Sequence, residues 1–145
     1  MKGRGAAERH SQVPPGGELL PSAFSTILGR LVNASPGATG AVMADEEGET
    51  VDYFAERIDP EELKLAAAYM GILLARVSAT TEKVKGGRLR ELRLKGDRSQ
   101  FVCRALGQGY QVTVVLDPVA TLPKLARALD QALAELRVEA GGVLD

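Results

Sequence analysis

Few side chains in this sequence are suited to chemistry, and their spacing restricts what they could do. His10 is the only histidine among 145 residues and lies in a Gly-, Pro- and Ser-rich stretch. Paired-histidine metal motifs are therefore absent, and a Ser-His-Asp triad lacks a base in the folded region. Cys103 is the single cysteine, so no internal disulfide forms, and it stands in an alternating apolar segment where a packed, inert thiol is expected. Gly37-Ala38-Thr39-Gly40 lacks the Gly-Lys-Ser/Thr of a phosphate-cradling loop and reads as a turn. Gly107-Gln108-Gly109 joins two strand-like segments with no helix after it, which makes it a hairpin and not a dinucleotide fingerprint. The carboxylates of residues 45–62 do not follow EF-hand spacing and are expected to form a solvated acidic surface. No catalytic, cofactor-binding or metal-binding residue is assigned, and a binding module is expected in place of an enzyme.

Composition narrows the class further. The length allows one domain with a core of its own, 45% hydrophobic and 26% charged residues are ordinary for a globular protein, and the formal charge of −1 argues against a dedicated nucleic-acid binder. No charge-free apolar run reaches the roughly 18 residues of a membrane span, and no secretory signal is visible, so a cytoplasmic location without membrane insertion is expected. The near-neutral total hides a polarised chain. Residues 45–62 hold nine acidic side chains and one basic one, Arg57; residues 82–98 hold seven basic and three acidic ones. Such separation steers encounters with a partner. The basic run has no aromatic residue before Phe101, which disfavours single-stranded nucleic acid.

The elements that position these groups centre on residues 60–83. Asp59 caps a helix there and Pro60 fits its first turn, while Glu61 and Glu62 at the start and Lys83 and Lys85 at the end complement its dipole. No charge interrupts it between Lys64 and Arg76. One apolar row runs Leu63, Ala67, Met70, Leu74, Val77; a second runs Leu65, Ala68, Ile72, Ala75, Ala79. A helix apolar all round needs cover on both sides, and a short chain supplies it most simply with a second copy or a partner. Which row meets the sheet is left open by the pattern.

Around this helix the chain reads as follows. Residues 1–21 form a disordered tail and residues 139–145 a frayed one. Residues 22–33 are a one-sided helix through Phe24, Ile27, Leu28, Leu31 and Val32, capped by Ser22. Residues 39–44 and 49–54 make a hairpin, the first strand buried and the second an exposed edge. After Gly86-Gly87 come strands at 89–94, 100–106 and 110–116, the last central because only Gln111 and Thr113 are polar. A helix over 121–137 carries Leu122, Leu125, Leu129, Ala132, Leu133 and Leu136 on one side. The expected class is α/β (α+β): one central, mainly antiparallel five-stranded sheet with helices on both faces, in the order α-β-β-α-β-β-β-α, with the domain over residues 22–138.

This order, with Pro36-Gly37-Ala38-Thr39-Gly40-Ala41-Val42-Met43-Ala44-Asp45-Glu46-Glu47-Gly48, the alanine-rich helix before Gly86-Gly87, and Gly109-Tyr110-Gln111-Val112-Thr113-Val114-Val115-Leu116, resembles the roadblock/LC7 domain. That family includes roadblock-type dynein light chains and bacterial GTPase-regulating proteins, and its layout is profilin-like. The resemblance covers residues 22–137 and rests on pattern, since the family has no catalytic signature. It implies a homodimer in which third strands pair edge to edge and second helices pack together, and a small Ras-like GTPase as partner. The expected dimer interface is Met70, Leu74 and Val77, or their neighbours, with Leu89, Arg90, Glu91, Leu92, Arg93 and Leu94. In an antiparallel pairing about Leu92, Glu91 faces the second copy's Arg93; the alternative is that these charges protect a free edge from aggregation. Ala67, Arg76, Thr80 and Lys83 are the expected partner contacts, and Arg76 is the only charge in the middle of the long helix. Two other functions stay open: an adaptor subunit with no GTPase, and a small-ligand sensor, which the almost wholly apolar inward faces disfavour.

Overall fold

The computed structural model describes residues 8–10, 22–142 and 144. The chain folds as β1 (Glu8–His10), α1 (Ala23–Asn33), β2 (Ala38–Ala44), β3 (Thr50–Ala55), α2 (Pro60–Lys83), β4 (Glu91–Lys95), β5 (Gln100–Gly107), β6 (Tyr110–Leu116) and α3 (Pro123–Glu139). The strands lie in the order β1-β3-β2-β6-β5-β4, every neighbouring pair antiparallel. The five strands expected from sequence are therefore present, with α1 and α3 on one face and α2 on the other.

Local sequence explains the boundaries. Ser22 caps α1 by accepting from the Ser25 backbone N–H, and Asp59 caps α2 by accepting from Glu62 N–H, with Pro60 in the first turn. Pro123 opens α3, although no side chain caps it. Between α2 and β4 the chain reverses through Lys85 and Gly87, both at positive φ; the Ser78 hydroxyl accepts from Leu89 N–H at 3.0 Å.

Three readings of the sequence are corrected. Glu8–His10 forms a strand pairing with Tyr53–Ala55, so the tail expected over 1–21 is interrupted there; its remainder lies outside the described residues. β3, expected at the edge, is an inner strand: β1 pairs along its outer side, α1 covers one of its faces and α2 the other, and Asp52, Tyr53 and Ala55 are buried. Asp52 thereby leaves the solvated acidic surface and accepts a hydrogen bond from the Ser22 hydroxyl. Leu144, in the segment expected to fray, is buried against the α1/α3 core.

That core is a single cluster. Ile27, Leu28 and Leu31 of α1 and Leu125, Leu129 and Leu136 of α3 pack on Met43, Val112, Val114 and Leu116. The opposite face is divided. Leu63 and Ala67 of α2 cover Val42, Tyr53 and Val115, while Met70 and Leu74 cover Cys103.

Candidate protein-interaction surface

The phase of α2 on the sheet decides which of its two apolar rows is free. Leu63, Ala67, Met70 and Leu74 point inward and are buried. Leu65, Tyr69, Ile72 and Leu73 remain 58%, 61%, 49% and 39% exposed, a band along more than two turns of the outer surface. By length and composition α2 is apolar enough to cross a membrane, yet its inner row lies on the protein's own sheet. The long helix thus keeps an uncovered apolar side, made by residues other than those expected. Met70 and Leu74 are taken up beneath the helix, Val77 is half-buried, and Ala67 is fully buried and withdrawn from partner contact. Arg76, Thr80 and Lys83 are exposed on α2, as partner contacts require.

A buried polar group fixes that phase. The Gln111 side-chain amide donates from Nε2 to the Ala67 carbonyl at 2.9 Å. Its Oε1 accepts from Thr113 Oγ1 at 2.7 Å and from Cys103 Sγ at 3.2 Å. The amide reaches the helix backbone because residue 71 is glycine: a Cβ there would stand 3.0 Å from Gln111 Nε2. The inward faces are thus less uniformly apolar than the sequence pattern implied. Burial, partly offset by the hydrogen bond with Thr113, pushes the Cys103 thiol up to about 11, which leaves it protonated and unreactive at neutral pH.

β4 is the outer strand at the far edge of the sheet. Its backbone pairs with β5 on one side, Leu92 opposite Cys103 and Glu91 opposite Arg104. Leu89 and Leu92 lean against the Met70–Leu74–Cys103 cluster, whereas Arg90, Arg93 and Leu94 are exposed. Glu91 is held within its own chain: it accepts from Arg104 Nε at 2.6 Å and from Arg93, and Arg104 Nη1 donates to Asp130 of α3 at 2.8 Å. Burial would raise the Glu91 carboxyl, but the hydrogen bonds and charges of Arg104 and Arg93 outweigh it and hold the group below its ordinary value. The sequence reading foresaw neither Arg104 nor Asp130, because both contacts depend on strand register and helix placement.

Among the described residues no group of three His, Cys, Asp or Glu side chains could hold a metal ion.

The family model for the Roadblock/LC7 domain matches residues 26–116. A Roadblock/LC7 domain from Streptomyces avermitilis superposes with a TM-score of 0.72 at 19% identity, covering 80% of this chain and 96% of that one. The gliding protein MglB of Thermus thermophilus gives 0.70 at 19%, covering 79% and 85%. Myxococcus xanthus MglB gives 0.74 at 13%, covering 84% and 98%. At these identities the likeness to the solved structures is one of fold. No curated protein sequence gives a significant match.

Proposed function

The chain belongs to the Roadblock/LC7 domain family, and from that premise we propose that it works as a homodimeric docking module for a small Ras-like GTPase. The observation that carries this reading is the uncovered apolar band of Leu65, Tyr69, Ile72 and Leu73 on α2, beside the free edge of β4. Two copies related by a two-fold axis would bring α2 against α2 and β4 against β4. The hydrophobic gain comes from the helices, at roughly 25 cal/mol per Å² of apolar surface covered. Each cross-strand charge pair adds roughly 0.2–1 kcal/mol. In the pairing about Leu92, the second copy's Arg93 would join a carboxylate that Arg104 and Arg93 already hold, so these charges set register more than affinity.

The GTPase would rest on the paired helices and their flanks, with Arg76, Thr80 and Lys83 as contacts. In this reading the protein acts by binding, and any effect on GTP hydrolysis arises from reshaping the GTPase. The test is a panel of purified small Ras-like GTPases, each loaded with GDP or a GTP analogue, titrated with the full chain by calorimetry. Binding that prefers one nucleotide state and weakens at least tenfold in Arg76→Glu supports the reading. Absence of binding across the panel by a stable dimer overturns the GTPase part and favours an adaptor subunit.

A further inference from the structure

On the α3 side of the sheet, away from α2, a groove of about 560 Å³ opens between the start of β4, the end of β5 and α3. Half-buried Leu89 and Ala105 contribute apolar surface to its wall, with the buried Leu106 and Leu133 behind it. Five arginines line it, Arg88, Arg90, Arg93, Arg104 and Arg137, against two carboxylates, Glu91 and Asp130. Both carboxylates are already engaged: Arg104 bridges them, and Arg93 shares Glu91. Arg137 is oriented by donating from Nε to the Leu106 carbonyl at 3.0 Å and has no carboxylate within ion-pair distance among the described residues. Arg88 and Arg90 are exposed and have no carboxylate within ion-pair distance among the described residues.

Three guanidinium groups with no carboxylate partner among the described residues therefore surround one partly apolar concavity in a protein whose formal charge is −1. The positive field is local and does not follow from a basic composition. Guanidinium groups recognise carboxylates through paired, planar hydrogen bonds. We propose that this groove is a second docking site, distinct from the α2 surface and bordering the proposed β4 seam, which takes a short acidic segment of a partner protein with carboxylates on the arginines and an apolar side chain against half-buried Leu89 and Ala105. Among the described residues no aromatic side chain lines the groove to stack a base, which separates it from single-stranded nucleic-acid platforms. Its concave, partly apolar wall suits a peptide better than the flat headgroup layer of a bilayer.

The test begins with a displayed library of random 12-residue peptides selected against the full chain. The best synthetic peptide is then measured by fluorescence anisotropy at low and high salt. Selected peptides should be rich in Asp and Glu around one or two apolar residues. Arg88→Glu/Arg137→Glu should weaken binding at least tenfold while leaving solution mass unchanged and the chain folded, its melting temperature lowered only by the lost Arg137–Leu106 hydrogen bond. Arg137→Lys, which keeps the charge but loses the planar fork, should fall between. Peptides without an acidic excess, or equal affinity for the double variant, overturn the proposal. So does arginine-dependent binding of phosphatidylserine vesicles in the absence of peptide binding. Because α2 is untouched, the GTPase titration on the same double variant separates a failure of this site from a failure of the α2 reading. Should the double variant misfold, Arg88→Gln alone should still weaken the peptide at least threefold, and an unchanged affinity there also counts against the site.

Discussion

On the α1/α3 side of the sheet, Leu28, Leu129, Leu136, Val112 and Leu116 close into one buried cluster, covered by two helices. On the α2 side the buried residues split into two smaller groups, with Gln111 and Thr113 hydrogen-bonded beneath the helix and four large apolar side chains facing outward above it. The first arrangement maximises apolar burial within one chain. The second gives up part of that burial and fixes the helix with a directional polar contact, so that its outer surface is presented in one defined orientation. A face with its apolar side chains closed into one core and a face that leaves apolar side chains in water thus share a single sheet.

Substitutions that act on one face and spare the other sharpen this contrast. The largest effect is expected from Leu129→Ala, which leaves a cavity in a fully buried site. It should lower the unfolding free energy by about 2–5 kcal/mol in urea denaturation. Ile72→Glu should instead leave the fold intact and raise the dimer dissociation constant at least thirtyfold, or about 2 kcal/mol, by sedimentation velocity. If Ile72→Glu unfolds the chain as Leu129→Ala does, the division of labour between the faces is wrong.

The polar contact under α2 is tested at Gly71. Alanine in a helix normally stabilises it by about 1 kcal/mol relative to glycine. Here the added Cβ meets Gln111 Nε2, which donates to the Ala67 carbonyl, on an amide whose Oε1 is held by two further hydrogen bonds. Gly71→Ala should therefore cost about 1 kcal/mol in the natural chain and become stabilising when Gln111→Ala is also present. An additive result would show that Gln111 does not set the helix position.

The smallest effect concerns Glu91. Its carboxyl is held below its ordinary value in the folded chain, so it contributes stability above the unfolded value that is lost as pH falls through the lower folded one. The pair with Arg104 is partly solvated, which limits the contribution to under about 1 kcal/mol. Glu91→Gln should be slightly less stable than the natural chain at neutral pH. The gap should narrow as pH falls below the ordinary glutamate value and close below the lower folded one; a constant gap in denaturant midpoints across that range would remove the ion pair from the account.

The sequence was most informative where a local signal fixes a local structure. Asp59-Pro60 and Ser22 mark helix starts through their caps, and the alternation from Gln100 to Leu116 sets two central strands with nearly correct limits. It was silent on the phase of α2, because rows of similar apolarity lie on both sides of that helix. The choice of Met70 and Leu74 over Leu65 and Ile72 as buried residues follows from fit to the sheet and from Gln111, neither of which is a local property. The same reason hid the Ser22–Asp52 contact and the Glu91–Arg104–Asp130 chain, whose partners are distant in sequence. Leu144 and Glu8–His10 lie in segments of tail-like composition, where local pattern does not report a docked side chain or a paired backbone.

The most direct test of the central claim is the solution mass of the full chain by light scattering, at low and high salt. A chain mass of 15.4 kDa that doubles in solution and stays doubled in roughly 1 M salt is the predicted result, since apolar burial by α2 survives screening. A monomer at all salt concentrations, with Leu65, Tyr69 and Ile72 left in water, would contradict the account.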